Sequence, residues 1–178
     1  GRVEARVLVA RLIHGPGVRH AHAVVDGEPR RHAPAVLRIR VGLPVAVHAE
    51  DGEMTRRLAS EARAAGRFGV RDYLASRPVH AEWQAIQLAC DLAGETGCAL
   101  HVVHVSTPEG LARIAAARQA GVDVTAETCP HYLLLNEDDM ARIGPLAKCA
   151  PPMRDEARRL ALWQALAAGQ MHTMGSDH

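Results

Sequence analysis

From Gly42 to His178, short apolar runs alternate with longer amphipathic stretches. The apolar runs are typical of buried strands and cover residues 43–48, 99–105, 122–128 and 172–176. Strands that alternate with helices imply a parallel sheet covered by helices. The pattern therefore predicts an α/β fold, although it does not separate an open sheet from an arc of a closed barrel.

Helix boundaries are marked by capping residues. A helix is predicted over residues 53–65, and in a second one Trp83, Ile86, Cys90 and Ala93 share one face. A third begins at the cap Thr107 and stops at Gly121. A fourth begins at Asp155, carries Leu160, Trp163 and Ala167, and has Gly169 just beyond it.

Composition excludes several classes of function. Aromatic residues are only 3% of the 178 residues, which is unlike a carbohydrate- or nucleic-acid-binding surface, and the net charge of +1 gives no strong attraction to nucleic acid or anionic lipid. The four cysteines form no CxxC pair, so we expect reduced thiols and a cytoplasmic location. No apolar run reaches membrane-spanning length and no signal peptide opens the chain. Gly1 is not an initiator methionine and His178 follows an apolar run, so both ends are expected to be cut.

Residues 1–41 do not join the alternation. They hold eight arginines against three acidic residues, with many histidines, prolines and glycines and no sustained period. We leave this segment unassigned and interpret it as out of frame with the true protein, or as diverged. A family-like strand carrying a lysine in another reading frame of the encoding DNA would support the first interpretation.

Three polar side chains stand at the predicted carboxyl ends of strands, namely His48, His104 and Asp177. This edge is where parallel β/α folds gather ligands and catalytic groups. Imidazoles and a carboxylate suit zinc, which makes hydroxide available near neutral pH, and a carboxylate beside it can transfer the proton. A histidine that ends one apolar strand is, however, more often a hydrogen-bonded structural residue. On the residues alone both interpretations stay open.

Six ordered motifs decide between them by resemblance. They are Val47-His48-Ala49-Glu50, Ser76-Arg77-Pro78, His101-Val102-Val103-His104-Val105-Ser106, Glu127-Thr128-Cys129-Pro130-His131-Tyr132, Lys148-Cys149-Ala150-Pro151-Pro152-Met153-Arg154 and Gly175-Ser176-Asp177-His178. In this order and spacing they resemble blocks of the cyclic amidohydrolases, which include dihydropyrimidinase, hydantoinase, dihydroorotase and allantoinase. The resemblance covers residues 42–178.

The resemblance implies a metal-dependent (β/α)₈, or TIM, barrel, of which residues 42–178 would be the C-terminal half, roughly strands five to eight. It implies a two-metal zinc centre that hydrolyses a cyclic amide. His48 and His104 match ligands of the second metal. Asp177 matches a ligand of the first metal that also acts as the proton shuttle.

Other roles are implied for loop residues. The backbone of Cys149, Ala150 and Pro151 matches the loop that holds the amide edge of the substrate. His131 lines the pocket or has a structural role in its loop. Three further residues are interpreted as structural: Arg77 as holding loops, Lys148 as peripheral, and His101 as packed or facing the surface.

The chain also departs from the family pattern. The family has an HxH pair after its first strand and a bridging carboxylated lysine after its fourth, and no lysine precedes Lys148 here. An HxH occurs at His20-Ala21-His22, but it lies in the arginine-rich segment without a preceding strand, so we do not assign it as a ligand pair. The resemblance thus implies an incomplete active site and little hydrolase activity for this chain alone.

Within the family the motifs are most similar to allantoinases, which implies hydrolysis of allantoin to allantoate. Dihydroorotase and hydantoinase or dihydropyrimidinase activities are the alternatives, and a metal-free scaffold protein is the non-enzyme alternative. The implied partner is a small cyclic ureide or cyclic amide, with no nucleic acid and no membrane. The intact protein is expected to be a homo-oligomer.

Overall fold

Four parallel strands lie side by side in the computed structural model, which describes residues 9–12 and 44–177. The strands are β1 Val9–Leu12, β2 Val45–His48, β3 Leu100–Val102, β4 Val124–Thr128 and β5 Thr173–Met174. They follow one another in chain order across the sheet, and neighbours from β2 to β5 pair in parallel. This confirms the predicted parallel sheet. The strand β1 pairs antiparallel with β2 and so does not continue the parallel order.

Long helices return the chain from one parallel strand to the next. The helices are α1 Gly52–Ala64, α2 Val70–Ala75, α3 Val79–Thr96, α4 Pro108–Gln119, α5 Pro130–Leu134, α6 Glu137–Ile143 and α7 Glu156–Ala167, and a 3-10 helix covers Gly144–Ala147. The four predicted helices are present as α1, α3, α4 and α7, and the three short helices α2, α5 and α6, which the sequence did not predict, lie in the connecting segments. None of the described helices is long and apolar enough to cross a membrane.

One hydrophobic core joins the sheet to its helices. Alternate strand residues such as Val47, Val102 and Val124 are almost fully buried in it, together with Ile86 of α3 and Ile114 of α4. The residues between them alternate to the opposite face of the sheet, as the pleat requires. Apart from Ala46, the residues on that second face of β2, β3 and β4 are polar, and His48 is one of them.

The face of α7 that meets the core does not carry Leu160, Trp163 and Ala167, the residues predicted for it. Asp155 caps the helix as predicted, since its carboxylate accepts a hydrogen bond from the Arg158 backbone N–H at 3.0 Å. The buried residues are Leu162 and Ala165, whereas Trp163 is 43% exposed. The Trp163 indole N–H donates to the Leu133 carbonyl at 2.7 Å, so this side chain lies along α5 instead of in the core.

The cap of α4 is fully buried beside the candidate site. The hydroxyl of Thr107 accepts a hydrogen bond from the Gly110 backbone N–H at 3.2 Å. We expect Thr107→Ala to lower the free energy of unfolding by about 1 kcal/mol, because it leaves an N–H of the first turn without a partner. Urea denaturation measures the change. Thr107→Ser keeps the hydroxyl and is the matched control, so equal losses in both variants would contradict a capping role.

Candidate functional site

The carboxyl ends of the parallel strands bring the predicted site residues to one edge of the sheet. His48 is the last residue of β2, His104 follows the end of β3, and Asp177 follows the end of β5. His104 and Asp177 have φ angles of 43° and 57°, the only positive values among the described residues other than glycine. Positive φ angles are uncommon outside glycine, although Asp and His adopt them more often than most residues, and they recur at functional sites. The turn at His104 also ends β3 earlier than the apolar run predicted.

The two histidines are in direct contact. His48 Nδ1 lies 2.9 Å from His104 Nε2, and the ring centroids are 4.7 Å apart in an edge-to-face arrangement. His104 is only 4% exposed, and its Nδ1 has no hydrogen-bond partner in the part of the chain that the structure describes. The sequence placed the two residues on neighbouring strands, and in the structure one ring nitrogen of each lies within hydrogen-bond distance of the other.

Burial keeps His104 uncharged near neutral pH. Desolvation lowers the pKa of its imidazole to about 4, His48 acts in the same direction, and the carboxylate of Asp177 opposes the shift. A metal ligand must present a neutral imidazole, so this environment favours a ligand over an imidazolium.

The donor atoms fit a metal ion in part. Zinc binds imidazole nitrogen at about 2.0–2.1 Å, so one ion can contact two nitrogens that lie 2.9 Å apart. Within residues 44–177, however, no group of three or more His, Cys, Asp or Glu side chains is arranged to hold an ion. The structure thus brings His48 and His104 together as a donor pair, and Asp177 follows a strand end at the same edge of the sheet.

A cavity of about 580 Å³ opens beside this edge. Asp177 lines it together with His131, Cys149 and Ala150, three of the four residues assigned to substrate binding. The rest of the wall is mainly apolar and consists of Leu135, Ile143, Leu146, Ala147, Lys148, Met153 and Ser176. A mainly apolar wall with a few polar groups is typical of small-molecule sites.

Two tyrosines shape the loop at residues 149–151. The Tyr73 hydroxyl donates to the Cys149 carbonyl at 2.6 Å, and the Tyr132 hydroxyl donates to the Pro151 carbonyl at 2.7 Å. Pro151 is buried and does not line the cavity, and proline has no N–H to offer. Of the three residues assigned to the amide edge, Ala150 is thus the one whose carbonyl is not held by a tyrosine.

A buried network that the sequence did not reveal holds the segments around the site. Glu82 on α3 is 1% exposed and accepts hydrogen bonds from the Ser106 N–H, the Ser106 hydroxyl and Arg154. Arg154 also donates to the Arg77 carbonyl at 2.6 Å. Ser106 and Arg154 lie in quoted motifs but had no assigned role. The one signal for Glu82 was a carboxylate at helical spacing from Ile86, Ala89 and Ala93 on an apolar face.

Other predicted residues have the following surroundings. His101 is packed, with its Nδ1 2.7 Å from the Thr125 hydroxyl. The Arg77 guanidinium lies 4.7 Å from the centre of the Tyr73 ring, and the Lys148 amine lies 5.7 Å from it. Burial raises the pKa of Cys129 to about 12, which removes its thiolate as a nucleophile. His20 and His22 lie outside the described residues.

The chain is similar to allantoinases along most of its length. It is 55% identical over 139 residues to an allantoinase from Rubrobacter xylanophilus, a match that covers 78% of this chain and 31% of that protein. It is 46% identical over 138 residues to an allantoinase from Escherichia coli K12, with 78% and 30% covered. The chain thus spans about a third of the length of these relatives. No protein-family model matches it.

Solved structures of cyclic amidohydrolases are similar to this chain in fold. L-hydantoinase (dihydropyrimidinase) from Arthrobacter aurescens superposes with a TM-score of 0.72 at 44% identity, over 75% of this chain and 30% of that chain. A dihydroorotase from Campylobacter jejuni superposes with a TM-score of 0.55 at 16% identity, over 76% and 33%, which supports the fold alone. The predicted partial (β/α)₈ barrel is thereby confirmed.

Proposed function

We infer that this chain, which is related to allantoinases and hydantoinases over about three quarters of its length, is part of the catalytic barrel of a cyclic amidohydrolase. The observation that carries the proposal is the contact between His48 and His104 at the strand ends, beside a cavity that Asp177 lines. The buried, neutral imidazole of His104 supports a ligand role, because a metal ion binds the unprotonated nitrogen. The relatives support the reaction class, and the geometry supports our choice of residues.

Each residue has a distinct task in this proposal. His48 and His104 would hold one divalent ion, for which zinc is our choice, and the remaining ligands would come from outside the described residues. A bound ion of this kind polarises a carbonyl and supplies hydroxide at neutral pH. Asp177 would bind the other ion of the two-metal centre and carry the proton to the ring nitrogen that leaves when the amide bond breaks. The cavity wall would orient the ring, with Ala150 and His131 in contact with the substrate.

Allantoin, opened to allantoate, is the substrate that we propose. The support is the similarity to two proteins named allantoinases and a cavity of about 580 Å³, which accommodates a small cyclic ureide. Hydantoin or dihydropyrimidine rings are the second candidate, because the L-hydantoinase shares the fold at 44% identity. We also propose residues 42–178 as the barrel unit with residues 1–41 outside it, and a homo-oligomeric protein in the cytoplasm.

Hydrolysis of allantoin by a version of this protein as long as its relatives tests the proposal. We expect zinc-dependent ring opening, and we expect Asp177→Asn to lower kcat by about 10²–10⁴-fold, because the proton carrier is lost. The 178-residue chain alone is expected to show little or no activity. Colorimetric detection of allantoate measures the rates in both cases.

Asp123→Asn is the matched control, since this exposed carboxylate lies before β4 at the opposite end of the strand from the site. Faster turnover of hydantoin than of allantoin would favour the second candidate. A long chain that binds no metal and hydrolyses neither ring would support the scaffold alternative and end the enzyme proposal.

A further inference from the structure

Glu50 is a buried carboxylate that lies beside His48 of the histidine pair. It is 6% exposed and lies two residues after His48, where the chain leaves β2 for α1. Its Oε2 lies 3.7 Å from His48 Nε2 and 3.8 Å from Arg77 Nε. Both distances are within the range of ion pairs and beyond that of hydrogen bonds.

Two of the atoms in this group are buried without a hydrogen-bond partner among the described residues. They are Glu50 Oε1 and Arg77 Nε. An unsatisfied buried polar atom costs about 1–3 kcal/mol, so such atoms are uncommon and call for an explanation. Here the donor Arg77 Nε lies close to the acceptor carboxylate of Glu50, and His48 Nε2 lies at a similar distance from the same carboxylate. A small shift of the carboxylate would join all three.

The tautomer of His48 connects this group to the candidate metal pair. His48 Nδ1 faces His104, and the opposite ring nitrogen, Nε2, faces Glu50. A proton on Nε2 points to the carboxylate and leaves a lone pair on Nδ1. The other tautomer would set the Nε2 lone pair against the buried carboxylate, which is electrostatically unfavourable.

The same assignment accounts for His104. If His48 Nδ1 is an acceptor, then His104 Nε2 donates the hydrogen bond between the rings in the metal-free chain. His104 Nδ1 is then an unprotonated acceptor, and leaving a buried acceptor without a partner costs less than burying an unpaired N–H. One tautomer therefore fits both rings, and Glu50 is the charged group in contact range that selects it.

We propose that Glu50 is a positioning residue that holds the proton on His48 Nε2 and so keeps the Nδ1 lone pair available for a metal ion. Arg77, which is stacked on Tyr73, supplies the cation that holds the carboxylate in place. Carboxylates that accept the second N–H of a ligating histidine commonly set its orientation and its affinity for metal. The metal part of this proposal rests on the proposed function, and the tautomer part does not.

The test uses the full chain and the variant Glu50→Gln, which keeps the size of the side chain and removes its charge. Long-range ¹H–¹⁵N spectra of the metal-free protein report the tautomer of His48, assigned by comparison with His48→Asn. We expect an Nε2–H tautomer in the wild type and a mixture in Glu50→Gln. Calorimetric titration with zinc is expected to show about 10–100-fold weaker binding in the variant.

Glu61→Gln is the matched control, because it removes a carboxylate that is 54% exposed on α1. Glu50→Asp retains the charge and is expected to restore the tautomer in part, which separates positioning from a general loss of folding. A wild-type tautomer and wild-type zinc affinity in Glu50→Gln would overturn the proposal. A tautomer change in a chain that binds no zinc would support the role of Glu50 and count against the metal site of the proposed function.

Discussion

Replacing Arg154 by methionine is expected to lower the free energy of unfolding of this chain by about 3–5 kcal/mol. Arg154 is 7% exposed, and its guanidinium donates to the Ser106 hydroxyl at 3.0 Å, to the Arg77 carbonyl at 2.6 Å and to Glu82 Oε2 at 3.1 Å. The substitution leaves the Glu82 carboxylate buried without a counter-charge. Removing one partner of a buried ion pair costs far more than the net contribution of the pair.

Urea denaturation of the metal-free chain measures this change. Arg142→Met is the matched control, since the Arg142 side chain is 72% exposed and its pair with Asp139 is accessible to solvent, so the midpoint is expected to stay where it is. In Arg154→Met/Glu82→Gln the buried charge is gone, and part of the loss is expected to be recovered. A loss below about 1 kcal/mol in the single variant would contradict the electrostatic account of this network.

The network also matters for the site because of the segments that it joins. Ser106 lies two residues after His104, and Arg154 follows the loop that carries Ala150. One carboxylate on α3 therefore fixes the turn of a candidate ligand relative to the loop of the candidate substrate pocket. We expect Arg154→Met to weaken zinc binding as well as stability.

The gathering of the site at one edge could be predicted from the sequence. Apolar runs that end in His48 and His104 give parallel neighbours, and parallel strands end at the same edge of a sheet. The caps Thr107 and Asp155 could also be predicted, because capping depends on residues within one turn of the helix. These predictions hold because each one rests on local sequence and on the handedness and direction of β/α units.

Other features depend on contacts between distant segments, which a single sequence does not encode in a readable form. The partner of Glu82 is 72 residues away, and nothing around Arg154 indicates which carboxylate it meets. The face of α7 was misread because Leu160 and Trp163 are apolar but lie at its exposed side. Which ring nitrogens meet, Nδ1 of His48 and Nε2 of His104, depends on the turn at His104. The apolar run gave no reason to expect that turn.

A metal ligand and a structural histidine are expected to respond oppositely to the same substitution, and β3 with the turn after it holds one candidate for each role. His104 meets His48, lacks a partner at Nδ1 and has a φ of 43°. Asparagine tolerates that φ, so we expect His104→Asn to change the stability of the metal-free chain by no more than about 1 kcal/mol. Stabilisation by zinc, about 2.7 kcal/mol when the ion is at 100 times its Kd, should vanish.

His101→Asn is expected to behave in the reverse way. His101 contacts the Thr125 hydroxyl at 2.7 Å on the polar face of the sheet, so its loss should destabilise the metal-free chain by about 1–2 kcal/mol and leave the stabilisation by zinc intact. Thermal denaturation of both variants with and without zinc gives the four values. If His104→Asn keeps the zinc effect, or if it destabilises the metal-free chain as much as His101→Asn does, then His104 is a structural histidine and the contact with His48 is an ordinary hydrogen bond. If His104→Asn loses the stabilisation by zinc and keeps the stability of the metal-free chain, then His104 serves metal binding. A structural residue would instead contribute to the stability of the metal-free chain.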